Sequence, residues 1–178
     1  MNFGTYAGRA LHTAVDLINS DDLSTGEAAA TLLRDRGWTV DQPLTPDEVE
    51  RLRALRPVLR YIFTSSTPHD GVRHLNAVLA DMRALPQLTN HDGAWHWHYV
   101  QPDADLVDRV TTRCAVALLS VVADAGASRL RTCAADDCTN VFVDLSRNSA
   151  RRFCDARTCG NRTHAAAYRA RRRDNQPQ

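Results

Sequence analysis

Four cysteines in the last third of the chain, Cys133, Cys138, Cys154 and Cys159, are the residues whose type and spacing speak most directly of chemistry. They read C-x4-C, fifteen intervening residues, and C-x4-C again. Zinc takes soft thiolate ligands at tetrahedral corners, and two short-loop pairs supply four of them without a large supporting core. The donor set predicts one Zn2+ per chain, held by these four side chains. A shell of four thiolates leaves no open position for a catalytic water, so the metal is expected to hold structure and the chain is not expected to be an enzyme. No glycine-rich phosphate loop, nucleophile elbow or histidine-glutamate helix motif argues otherwise. The fifth cysteine, Cys114, sits at helical spacing with Val110 and Leu118 and reads as a small buried apolar residue.

The surroundings of the cysteines are basic. The 178 residues carry a net charge of only +1, yet residues 129–178 hold 11 Arg against 5 acids while residues 1–128 hold 11 Arg against 16. All 22 basic residues are arginine, a bias that a GC-rich genome would produce as well as selection would, so it carries little weight alone. Its placement matters more. Arg147, Arg151 and Arg152 lie between the cysteine pairs, and Asn161, Arg162, His164, Arg169 and Arg172 follow Cys159 on a helix whose N-terminal amides favour a phosphate oxygen. Arginine forks suit phosphates and guanine edges, which makes these eight residues the candidate DNA contacts. For the run Arg171-Arg172-Arg173 a solvated tail is an equally good reading.

Other polar constellations are weaker. His91, His96 and His98 group around one turn but lack a carboxylate or cysteine at a ligand interval, so ordinary strand and turn histidines are favoured. Asp16 and Asn19 in the first helix, with Trp95 and Trp97, are the candidate lining of a small-ligand pocket. The blander expectations are an arginine partner for Asp16 and a core position for the tryptophans.

The elements that must position these residues are mainly helices. Leu11, Val15, Leu17 and Ile18 mark a first helix ending near Asn19, and Ser24 with Glu27 resembles a capping box for a second that stops at Gly37. Thr45-Pro46-Asp47-Glu48 starts a third, in which Pro57 predicts a kink or break near Arg56. A fourth is expected over residues 71–84. Residues 86–100 alternate about Asn90-His91-Asp92-Gly93 as a hairpin would, and a long helix from Asp103 or Asp105 to about Ala125 buries Val107, Val110, Cys114, Leu118 and Val121. Beyond a hinge at residues 125–128, strands over Val141–Val143 and Arg151–Phe153 are expected to form a second hairpin, with Cys159 opening the last helix. The fold class expected is α+β: a mostly helical N-terminal domain with a β-hairpin (1–128), a small treble-clef-like zinc finger (129–173) and a short tail (174–178).

Residues 133–173, with Phe142, Asp144, Ser146, Arg147, Arg152 and above all Cys159-Gly160-Asn161-Arg162, resemble the CGNR zinc-finger family. Upstream, residues 13–20, Leu44-Thr45-Pro46, Leu75-Asn76 and the Gly93 to Trp97 segment are similar to the ABATE domain that usually precedes it. The resemblance implies a bacterial, stress-induced transcription regulator whose finger binds DNA. Two positions depart from the family pattern: Phe153 stands where tryptophan is commoner, and His164 where lysine is commoner, which removes a permanent charge from the DNA face. The N-terminal domain is then expected to dimerise or to sense a small-molecule effector. A protein-docking or RNA-binding adaptor and a thiol redox switch are the alternatives that the residues leave open. Clustered cysteines and the lack of a leading basic and apolar signal point to the reducing cytoplasm. The longest apolar-rich stretch, residues 114–127, is too short and too interrupted for a membrane span.

Overall fold

The computed structural model describes residues 5–90, 93–101 and 103–174. Five helices build the N-terminal part: α1 (Thr5–Asn19), α2 (Gly26–Asp35), α3 (Pro46–Thr64), α4 (Pro68–Asp81) and α5 (Leu106–Ala125). Two antiparallel hairpins accompany them, β1 (Gln87–Thr89) with β2 (His96–His98), and β3 (Leu130–Thr132) with β4 (Val141–Val143). The last helix among the described residues is α6 (Asn161–Asp174).

The helix starts follow from local hydrogen bonding. Thr45 and Glu48 complete the expected capping box, with Thr45 Oγ1 accepting from the Glu48 amide and Glu48 accepting from the Thr45 amide at 2.8 Å. The cap of α2 falls one residue later than expected. Thr25 Oγ1 accepts from the Ala28 amide at 3.1 Å, because Ser24 is already engaged with Asp22. Its first residue, Gly26, crosses Leu44 so closely that a Cβ there would lie 1.9 Å from the Leu44 carbonyl oxygen. The fourth helix starts three residues before the expected position, since Thr67 caps it and Pro68 occupies its first turn. α3 runs through Pro57 without a break: the ring sits exposed on the outer face, while Leu52, Leu55, Leu59 and Ile62 anchor the inner face.

The core is continuous from the helices into the second hairpin. Leu17, Leu33, Leu52, Leu59, Leu75, Val110, Leu118 and Val121 are buried together, and Leu130, Val141 and Val143 join the same cluster. Burying a side chain of this size contributes about 1.5–3 kcal/mol. All five residues expected on the inner face of α5 are buried there. The expected strand at Arg151–Phe153 does not form. Its place beside Val141–Val143 is taken by Leu130–Thr132, which directly follows α5 and supplies the apolar residue, Leu130, that the helical core accepts. No helix among the described residues is long and apolar enough to cross a membrane.

Candidate metal centre and nucleic-acid interface

The cysteine knuckles are shaped by backbone bonds. The Cys133 amide donates to the Asn140 carbonyl at 2.8 Å and the Cys138 amide to the Ala135 carbonyl at 3.1 Å, which folds residues 133–140 back on themselves. The Ala134 amide donates to the Arg152 carbonyl at 2.9 Å and ties this knuckle to the second. There Asp155 caps one wide turn, Ala156–Gly160, accepting from the Thr158 amide at 2.8 Å. Cys159 is thereby delivered just before α6.

Together these turns bring the four Sγ atoms within 4.8 Å of one another. Cys138 and Cys154 are 3.7 Å apart and Cys154 and Cys159 3.6 Å. A tetrahedral Zn2+ with Zn–S bonds of 2.3 Å sets its sulfurs about 3.8 Å apart, so the spacing fits the ion. The sulfurs also carry outer partners of the kind that orient metal ligands: the Cys154 amide on Cys133 Sγ at 3.4 Å, Asn140 Nδ2 on Cys154 Sγ at 3.8 Å and Arg162 on Cys159 Sγ at 3.6 Å. Among the thiols themselves, burial raises Cys133, but hydrogen bonds from the backbone at Cys154 and Ala135 outweigh it and bring it down to about 7. Burial and the neighbouring thiols push Cys154 up to about 12. Cys114 lies apart, fully buried, its thiol 3.4 Å from the Ala10 carbonyl and pushed upward by burial, as a core residue.

Between the cysteine pairs, Asp144 organises the loop that replaced the expected strand. Its carboxylate is fully buried and accepts from the Ser146 amide at 3.0 Å, the Ser146 hydroxyl and the Arg151 amide at 2.8 Å. Burial alone would raise its pKa, yet these bonds and the Arg131 charge hold it below the ordinary carboxylate range. Asp144 appears in the sequence only as part of a family pattern. Nothing in its local sequence shows that it would be buried.

Two family models match the chain. The first is the CGNR zinc finger over residues 129–172. The second, ABATE, described as "Putative stress-induced transcription regulator", covers residues 11–136, which is most of the chain. The chain belongs to the ABATE family. No curated protein matches it. The ABATE match runs past α5 into the first cysteine knuckle, as the shared core of helices and second hairpin does.

Within the ABATE region the candidate ligand residues are divided. Asp16 accepts from Arg36 Nε, and with Asn19 it borders an open groove that also includes Asp22, Glu27, Asp35 and Arg36. Trp95 and Trp97 do not line that groove. They are 69% and 58% exposed on the first hairpin, which corrects the expectation that they form core. The reason is the register: Trp97 pairs with exposed Leu88 on one face, while His96 and His98 occupy the half-buried opposite face with their Nε2 atoms 3.1 Å apart. His91 lies outside the described residues.

The candidate DNA contacts also separate. The Arg151 guanidinium donates to the Phe153 carbonyl at 2.9 Å and to the Cys154 carbonyl and stacks on Phe142, and Arg162 pairs with Asp137 at 2.7 Å. Both are committed to the finger's own structure. Arg147, Arg152 and Arg169 are exposed and have no carboxylate or carbonyl partner among the described residues. Arg152 only stacks on Phe153, and Arg172 on Tyr168. Asn161 is exposed at the start of α6, and His164 is exposed with its ring edge-on to Phe153. Arg157 and Arg171, outside the candidate set, are exposed in the same way.

Proposed function

We propose that this protein is a zinc-dependent DNA-binding transcription regulator of the bacterial cytoplasm, in which the C-terminal finger contacts the duplex and the helical part carries dimerisation or effector sensing. Cys133, Cys138, Cys154 and Cys159 hold Zn2+, which crosslinks the two knuckles and makes a rigid base for α6. In this reading the protein binds and does not catalyse.

The observation that carries the reading is the unequal use of arginine. In the helical part most arginines are spent internally, as Arg34 on Glu27 at 2.8 Å, Arg51 on Asp105 and Asp108 at 2.6 Å each and Arg53 on the Leu23 carbonyl at 2.8 Å, with exposed Arg83 and Arg109 the exceptions among the described residues. In the finger, Arg147, Arg152, Arg157, Arg169 and Arg171 point to solvent with no internal acceptor among the described residues. Between Asn161 and Arg173, α6 contains no acidic residue, and positions 164–169 are all exposed. A helix this short and this polar gains little stability by itself in water. Phosphates supply the missing acceptors, and a helix of this diameter fits the major groove.

The test is fluorescence anisotropy of the zinc-loaded full chain on mixed-sequence duplex DNA and on single-stranded RNA across a salt series. Duplex binding that weakens steeply with salt supports the reading. Binding to RNA alone, or none to duplex at low salt, overturns it.

A further inference from the structure

Among the described residues, the first hairpin has a face without a partner. Leu85, Leu88, Trp95 and Trp97 are 58%, 55%, 69% and 58% exposed. Leu88 and Trp97 share one side as cross-strand partners and Trp95, two residues before Trp97, alternates onto it, while His96 and His98 hold the other side. Leu88, Trp95 and Trp97 present on the order of 400 Å² of apolar surface, the size of the largest and often functional patch on an ordinary monomer. Strands of three residues paired only with each other are marginal in water unless a further strand or surface covers them.

We infer that this face is a self-association surface, and that its occupant is the same face of a second copy of this chain, packed across a two-fold axis. Charge argues for a copy over a foreign partner. Charged residues make up 24% of the chain, yet between Arg83 and Asp103 there is a single one, Asp92. A two-fold axis sets like against like, which a neutral face tolerates and a charged one does not. Exposed Arg83 and Asp103 flank the neutral run at the hairpin's base, joined there by Gln101 Nε2 donating to the Arg83 carbonyl at 3.1 Å. Size argues in the same direction. Two such faces bury about 800 Å² of apolar area, and the Thr, Gln and His rim brings the contact to the size of weak, transient interfaces. The contact is therefore a weak, reversible dimer and not an obligate one.

The inference does not depend on DNA binding. It adds to that reading the means by which two fingers would be presented to two half-sites. Sedimentation equilibrium of the zinc-loaded chain without DNA tests it. The mass is expected to rise from one chain to two as concentration goes from nanomolar to high micromolar, with tryptophan emission shifting to the blue over the same range. Trp95→Ser with Trp97→Ser is expected to weaken association about tenfold or more. Leu88→Arg, which places like charges across the axis, is expected to abolish it, and both variants are expected to keep zinc content and helical circular dichroism. Wild-type protein that stays monomeric at high micromolar concentration overturns the inference. So does a dimer that Leu88→Arg leaves intact. Failure of DNA binding with an intact dimer would count only against the regulator reading.

Discussion

Both ends of the Asn19 side-chain amide bind one residue, Val141: Nδ2 donates to the Val141 carbonyl at 2.8 Å, and the Val141 amide donates to Oδ1 at 2.9 Å. The side chain at the end of α1 thus completes the free edge of β4 as a third strand would. Arg60 works beside it, donating to the Thr139 carbonyl at 2.7 Å and to the Ile18 carbonyl at 3.1 Å. The next residue in the knuckle, Asn140, accepts from the Cys133 amide and donates to Cys154 Sγ. The helical part and the metal centre are therefore joined through one short run, residues 139–141.

Asn19→Ala should leave the backbone amide and carbonyl that Asn19 binds on buried Val141 without those partners, at a cost of about 1–3 kcal/mol. Asn19→Asp should cost a similar amount, since it keeps an acceptor for the amide and sets a charge against the carbonyl. Urea unfolding of the zinc-loaded chain measures both. If either variant matches wild type within error, the Asn19 clasp contributes nothing to stability.

Asn19 also shows what the sequence could and could not disclose. Helical spacing in α1 and α5, the Thr45 cap and the cysteine intervals are local signals, and they were legible because each depends on residues a few positions apart. The bond from Asn19 to Val141 spans 122 positions and has no local signature. The same holds for Leu130, whose claim to the edge of β4 over Arg151–Phe153 was decided by a core built from distant helices. Trp95 and Trp97 failed differently. Alternation identified their strand, but alternation does not say which face of a hairpin meets the core.

Asp105 caps α5, accepting from the Asp108 amide at 2.9 Å, and takes a bidentate contact from Arg51 at 2.6 and 3.2 Å. The hydrogen bond from Arg51 holds its carboxyl below the ordinary range. A carboxylate depressed in the folded state stabilises above its unfolded pKa of about 3.9, and that contribution fades as pH falls through the lower folded value. Asp105→Asn keeps a capping side chain and loses the charge. Because the pair is partly exposed, the expected loss at neutral pH is about 0.5–1 kcal/mol, narrowing below about pH 4. Paired unfolding curves for wild type and variant between pH 7 and 3.5 check it. A gap that does not change with pH would refute the charge-based account.

Metal removal should affect the finger far more than the helices. Chelation, or Cys154→Ser, is expected to release the knuckles at residues 133–139 and 152–160 while β4 stays docked and α1, α3 and α5 keep their circular dichroism, because the small cluster of Cys133, Ala135 and Cys159 is separate from the main core, which holds Val141 and Val143. Zinc takes thiolates, and with Cys154 held up to about 12 its proton must leave on binding. Calorimetry in buffers of different ionisation enthalpy should therefore show proton release at neutral pH, and zinc affinity should fall as pH falls. Binding enthalpies that do not depend on the buffer would contradict thiolate ligation.

The arginines of the finger should divide under substitution as they do in space. Arg169→Ala and Arg147→Ala remove exposed charges with no internal partner among the described residues, so each should leave folding and zinc content unchanged. Each should weaken duplex binding at every sequence and lower the salt slope by about 1. Arg151→Ala is expected to behave otherwise. Its guanidinium holds the Phe153 and Cys154 carbonyls and covers Phe142, so its loss should lower the stability of the zinc-loaded protein by about 1–3 kcal/mol and weaken DNA binding only in proportion to the fraction unfolded. Arg162→Ala belongs with Arg151, since it removes the partner of Asp137 and an outer contact of Cys159 Sγ, and competition with a zinc chelator should show faster metal loss. Thermal unfolding, zinc competition and anisotropy on the same four variants separate the two groups. If Arg151→Ala lowered the salt slope while leaving stability unchanged, Arg151 would be a phosphate contact and not a strut of the finger.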